Sequence, residues 1–141
     1  MPATTLLALG ASDFIQLTTF RRSGEGVPTP VWVVPDDGSL AVFTPAGTGK
    51  LTRLRRTSRV TVAECSRRGR VPEGVVPVEA RATTTADPTE VDRVTRMLAH
   101  KYGLQFRVFM LVEKVLARGG RRREVIHIHP TDPAGRSGAT P

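Results

Sequence analysis

Residues 29–65 read T-P-V-W-V-V-P-D-D-G-S-L-A-V-F-T-P-A-G-T-G-K-L-T-R-L-R-R-T-S-R-V-T-V-A-E-C. Apolar, β-branched residues run from Val27 to Val34 and again from Leu40 to Thr44, which predicts two strands. Between them Pro35-Asp36-Asp37-Gly38-Ser39 is a hairpin signal, because Asp-Gly supplies the positive φ that tight turns need. Gly47-Thr48-Gly49-Lys50 then opens a short amphipathic helix, with Thr48 as N-cap and Leu51 and Leu54 on its buried side. Arg53, Arg55 and Arg56 follow, and Arg59–Cys65 reads as the next strand. Backbone amides, a lysine and guanidiniums thus meet where a flexible loop becomes a helix. That arrangement suits a phosphate or another anion.

On the N-terminal side, Thr4–Leu9 predicts one helical turn and Phe14–Arg21 a strand, ended by Ser23-Gly24-Glu25-Gly26. On the C-terminal side, Ser66-Arg67-Arg68-Gly69-Arg70 is a basic loop and Val75–Thr83 a strand. Asp87-Pro88-Thr89-Glu90 reads as a helix start, with Asp as cap, Pro at the first position and Glu at the third. Val91, Val94 and Leu98 mark its buried face, and Gly103 ends it. Leu104–Ala117 predicts a second helix closed by Gly119-Gly120, and Glu124–His129 a last strand. The tail after Pro130 has no core-forming residues and is expected to be disordered, leaving one domain over residues 1–130. About six strands joined by tight turns, with a helix pair before the last, predict a mainly β fold: a small antiparallel barrel decorated with helices.

Composition narrows the function. Lys and Arg number 21 against 13 Asp and Glu, a formal net charge of +8, which favours anionic partners. Aromatic residues are only 5 %, too few for the stacking platforms of a nucleic-acid-binding barrel, so no nucleic-acid partner is expected. Cys65 is the only cysteine, and a buried thiol is its expected state. The first residues carry neither a secretory signal nor a membrane span, so we expect no membrane association and a cytoplasmic location. The loop at Lys50 is not the ATP-binding motif, since Thr44 stands where that motif needs a glycine and Leu51 where it needs Ser or Thr. A lysine in the first turn opposes the helix dipole unless an anion neutralises it. Arg53, one turn on, points to the same side, whereas Arg55 and Arg56 read as a solvated face. His127 and His129 alternate on one strand, but no cluster of acidic or thiol ligands accompanies them and no metal site is expected. His100 is expected to cap its helix. Trp32 suits either a flat ligand lying against its strand or a core. No nucleophile or paired-carboxylate motif identifies a catalytic residue.

Leu17-Thr18-Thr19-Phe20-Arg21-Arg22, Thr29-Pro30-Val31-Trp32, Gly49-Lys50-Leu51-Thr52-Arg53-Leu54-Arg55 and Lys101-Tyr102-Gly103 occur in the order of one family. The chain resembles the pyridoxamine 5′-phosphate oxidase-like, F420-dependent oxidoreductases of actinobacteria, over about Ile15 to His129. The resemblance implies a split β-barrel homodimer with its cofactor at the subunit interface. It implies that Thr48, Gly49, Lys50 and Arg53 hold the cofactor phosphate, with Lys50 central. Pro30, Val31, Trp32, Phe43 and Thr44 would line the ring, and the partner would contribute near Arg70–Pro72. One branch of such barrels uses FMN and another the deazaflavin coenzyme F420; the T-P-V-W and G-K-x-x-R-L combination resembles the F420 branch. The implied activity is hydride transfer between F420 and a conjugated small molecule, with an FMN-binding oxidoreductase or a non-catalytic cofactor-binding barrel as alternatives. The chain departs from the family pattern at Thr57-Ser58-Arg59, where relatives commonly carry a proline. It departs again at Glu79-Ala80-Arg81, where many have a glycine-containing strand.

Overall fold

The computed structural model describes residues 6–117 and 123–131, with side chains through Leu111 in the first segment. Among the described residues seven antiparallel strands form one sheet: β1 (Ile15–Phe20), β2 (Gly26–Val31), β3 (Val34–Pro35), β4 (Leu40–Pro45), β5 (Arg59–Glu64), β6 (Val78–Thr85) and β7 (Arg123–Pro130). Helix α1 (Gly49–Arg56) joins β4 to β5, and α2 (Pro88–Tyr102) and α3 (Leu104–Ala117) lie between β6 and β7. The tail after Thr131, the residues before Leu6 and the Gly119-Gly120 stop lie outside the described residues.

Strand order is β2-β1-β5-β6-β7-β4-β3, so β2 and β3 are the two edges of the sheet. Only Trp32 and Val33 separate these edges in sequence. At ~3.8 Å per residue the link spans at most about 11 Å. A flat sheet at about 4.8 Å per strand would hold the edges nearly 30 Å apart. The sheet therefore curls until its edges approach, and the fold is a split β-barrel with interspersed helices. The continuous strand expected over Val27–Val34 breaks here into β2 and β3, which is why seven strands form instead of six.

Side chains alternate between two cores, as a pleated strand requires. Leu40, Val42, Ile126 and Ile128 point into the barrel with Ile15, Leu17, Val60 and Val62, while Leu51 and Leu54 bring α1 into the same cluster. Ala41 and Val125 face outward, where Val94, Leu98, Tyr102 and Phe106 cover them. Leu6 is fully buried in the inner core; residues 6–8 are helical, within the turn expected there, and a 3-10 turn follows at Leu9–Ala11.

The hairpin turn forms as its residues dictate. Asp37 (φ 45°) and Gly38 (φ 84°) both take positive φ, and Asp36 and Ser39 exchange two backbone bonds, the pattern of a type I′ turn. Gly38→Ala is expected to cost about 1 kcal/mol, read by urea denaturation, because a Cβ disfavours this backbone even where space is open.

Other local expectations change in three dimensions. Asp87 sits at the N-cap of α2 without a side-chain capping bond, and Thr48 likewise at that of α1. Glu90 turns away from the helix start to Arg93, at 2.8 and 2.9 Å, and to His127 Nε2 at 3.0 Å. Arg93 also donates two bonds to Asp36 at the foot of the hairpin, so this cluster ties α2 to the β3–β4 turn and β7. His129 pairs with Thr83, and among the described residues no group of three or more His, Cys, Asp or Glu is placed to hold a metal. The strand expected from Val75 starts at Val78, leaving Val76 exposed, and runs on to Thr85. Cys65 is half-buried, and burial pushes its thiol up.

The bond from Arg93, with further help from His127, holds the Glu90 carboxyl down at about 2, from an ordinary 4.5. A carboxylate depressed in the folded state contributes stability above its unfolded pKa and loses it as pH falls. The contribution is therefore complete above about pH 4.5 and fades toward pH 2. In Glu90→Gln the denaturation midpoint is expected to fall less steeply across that window than in wild type. Equal slopes would refute the assignment.

Candidate functional site

The Trp32–Val33 link, the end of β4 and the start of α1 converge beside α3. Together they form an open cavity of about 500 Å³ lined by Pro30, Val31, Trp32, Phe43, Pro45 and Lys50, with Phe14, Arg67, Gln105, Val108, Phe109 and Arg123 completing the lining. Its size is that of a site for a small organic ligand. Its walls are aliphatic and aromatic, its charged side chains are all cationic, and among the described lining residues there is no carboxylate.

Trp32 is the centre of the aromatic wall. Its ring stacks on Tyr102 at 5.0 Å between centroids and 20° between planes. Phe109 meets it edge-on at 4.9 Å, and Phe106 lies 5.5 Å away. Its Nε1 is buried without a hydrogen-bond partner among the described residues. Phe43 packs against Phe106, and the Arg123 guanidinium lies 5.2 Å from the Phe43 ring centre.

Lys50 enters the cavity from the first turn of α1. Burial pulls its ammonium below the ordinary lysine range, and the positive charge of Arg53 acts in the same direction. Both effects penalise a cation that pairs with no carboxylate among the described residues, and a bound anion would relieve both. The loop before it owes its shape to Gly47, at φ 84°. Thr44 is buried, and its hydroxyl lies 3.4 Å from that of Thr48. That contact engages the Thr48 side chain expected to cap the helix.

Arg53 does not share the cavity with Lys50. It lies in a second, basic depression of about 430 Å³ with Arg21, Arg22, Ser23, Gly49, Thr52 and Arg56. Arg53 Nε donates to Thr19 Oγ1 at 2.6 Å, and Arg56 donates to the carbonyl of Phe20 at 2.6 Å. A Cβ on Gly49 would stand 2.8 Å from the Arg53 guanidinium, so the glycine lets that side chain lie back along the helix. Helix α1 therefore carries Lys50 to an apolar cavity and Arg53 to a neighbouring arginine cluster.

Of the ring-lining residues expected from sequence, Pro30, Val31, Trp32 and Phe43 share the cavity with Lys50, whereas Thr44 is buried and does not line it. Phe14, Pro45, Arg67, Gln105, Val108, Phe109 and Arg123 are additions from tertiary structure. Arg67 arrives because Gly69 packs on Pro30 and its carbonyl accepts from Gln16, which folds the basic loop back onto β2. The run of arginines in that loop gave no sign of which one would reach the site.

A curled antiparallel sheet with a cationic helix start beside an aromatic cavity defines the split β-barrel class. A family model described as pyridoxamine 5′-phosphate oxidase matches residues 3–133, and the chain belongs to that family. Solved structures share the fold at low identity. A conserved hypothetical protein of Mycobacterium tuberculosis is 21 % identical with TM-score 0.66, over 92 % of this chain and 80 % of that one. HutZ, a heme storage protein of Vibrio cholerae, is 11 % identical with TM-score 0.63, over 86 % and 84 %. An F420 reductase is 16 % identical with TM-score 0.54, over 91 % and 92 %. The fold thus serves proteins of different function. No curated protein matches the sequence.

Proposed function

We propose that the protein is an F420-dependent reductase that passes hydride to a conjugated small molecule. The observation that carries this reading is Lys50, a half-buried cation facing an apolar, aromatic-walled cavity with no carboxylate among its described lining residues. The chemistry of this set fits a flat ring bearing a phosphate. Pro30, Val31, Trp32 and Phe43 offer faces for the ring, and Lys50 a charge-assisted donor for the phosphate. The arginine cluster of Arg21, Arg22, Arg53 and Arg56 suits the carboxylates of an oligoglutamate tail, which F420 has and FMN lacks. When bound, the reduced deazaflavin supplies the hydride. The chain's own part is to hold ring and acceptor at about 3–3.5 Å and to keep water from the transfer. The absence of a nucleophile motif agrees with such a division of labour.

The protein acts as a homodimer in this reading. Leu104, Val108 and Leu111 leave one stripe of α3 apolar and exposed, with Phe109 beside it, next to the cavity. A second copy seated there would cover the stripe and close the site. Among the described residues no helix is long and apolar enough to cross a membrane. A cytoplasmic location suits an F420-dependent reductase and belongs to the proposal.

Titration with F420 and with FMN, each followed by the emission of Trp32, tests the cofactor. Quenching by F420 at lower concentration than by FMN is expected, with consumption of reduced F420 when conjugated acceptors are added. Tighter FMN binding and a yellow purified protein would transfer the assignment to FMN. Binding of both without turnover would leave a cofactor-binding barrel.

A further inference from the structure

Lys101 and Tyr102 close helix α2, and both side chains leave the helix to bind backbone elsewhere. Lys101 Nζ donates to the carbonyls of Gly10 at 2.8 Å, Ser12 at 2.7 Å and Val33 at 2.7 Å. An ammonium has three N–H groups, so its donor capacity is used in full. The Tyr102 hydroxyl lies 2.8 Å from the carbonyl of Asp13, 3.0 Å from that of Val33 and 3.1 Å from the Val33 nitrogen. A hydroxyl has one proton, and Lys101 already serves the Val33 carbonyl. Tyr102 therefore donates to Asp13 and accepts from the Val33 N–H.

Val33 is fully buried and lies between the two edge strands, outside the ladders of both. Its two backbone groups would be orphans without α2. The residue before it is Trp32, and the ring of the same Tyr102 stacks on the indole. One helix end thus grips the link twice, through the backbone of Val33 and through the face of Trp32. Burial pushes the Tyr102 phenol up to about 12, so its proton remains in place through neutral pH.

We propose that Lys101 and Tyr102 are positioning residues for the cavity: they lock the Trp32–Val33 link and so fix the indole as the wall against which the ligand ring lies. The part concerning the ligand rests on the cofactor reading above; the part concerning the indole does not.

Trp32 is the only tryptophan, so its fluorescence reports this wall directly. Ligand-free wild type, Tyr102→Phe and Lys101→Met are compared by acrylamide quenching under conditions where all are folded. Leu98→Ala serves as a control destabilised from the same helix. Quenching is expected to rise about twofold in Tyr102→Phe and Lys101→Met, and affinity for whichever of F420 or FMN the wild type binds to fall about fivefold, the scale of one lost hydrogen bond. Leu98→Ala is expected to unfold earlier yet to match wild type in both readouts. Wild-type quenching in Tyr102→Phe and Lys101→Met would overturn the proposal, as would raised quenching with unchanged affinity. If neither cofactor binds wild type, the cofactor reading falls, while quenching still decides whether the pair holds Trp32.

Discussion

Lys50→Ala binds F420 roughly 10- to 100-fold more weakly than wild type, a loss of about 1.5–3 kcal/mol for one charge-assisted contact. Trp32 quenching during titration measures it. Arg55→Ala is the companion control, because Arg55 is exposed and lines neither the cavity nor the arginine cluster. The same Lys50 substitution is expected to leave the ligand-free protein as stable as wild type or slightly more so. Burial and Arg53 both work against the ammonium, so removing it removes a penalty. Weaker binding without loss of stability is the signature of a residue kept for its ligand. Unchanged affinity in Lys50→Ala would remove the phosphate from this site.

Lys101→Met lowers the unfolding free energy by about 3 kcal/mol, within a range of roughly 2–4, in urea denaturation. The methionine keeps the stem but leaves the carbonyls of Gly10, Ser12 and Val33 without their donor. These come from two segments, the turn at residues 10–12 and the Trp32–Val33 link, that meet where the sheet edges approach. By comparison Arg59→Ala, which breaks an exposed pair with Glu79 at 2.8 Å, costs under about 1 kcal/mol. A loss for Lys101→Met as small as that would show that water replaces the ammonium and that the seam does not depend on it.

The two lysines differ in how far the chain order reveals them. Lys50 stands out because a Gly-rich loop and a helix start surround it, and such features are local. Lys101 belongs to one of the segments that carry the family resemblance, but nothing around it in the chain signals its role. As a basic residue in the last turn of a helix it reads as a dipole partner, the role expected of His100 beside it. His100 instead is exposed at a groove, and Lys101 reaches carbonyls about ninety residues away in sequence.

Turn chemistry and alternation settle the local elements, because Asp37-Gly38, Gly103 and the apolar periodicity act within a few residues of themselves. The β3–β4 turn, the three longer helices and most strand positions were legible for that reason. So was the cationic character of the Lys50 loop. The break at Trp32–Val33 was not legible, since the run is apolar throughout and only curling of the sheet ends β2 and begins β3 there. The separation of Arg53 from Lys50 was equally hidden. Helical spacing puts both on nearby faces, but Thr19, on another strand, draws Arg53 out of the cavity. Arg67, Gln105, Phe109 and Arg123 join the site from loops, helices and strands far along the chain, and pairing order alone brings them there. The residues of the first helix turn and the hairpin needed only their neighbours. The cationic, aromatic cavity needed the sheet to curl until its edges approached.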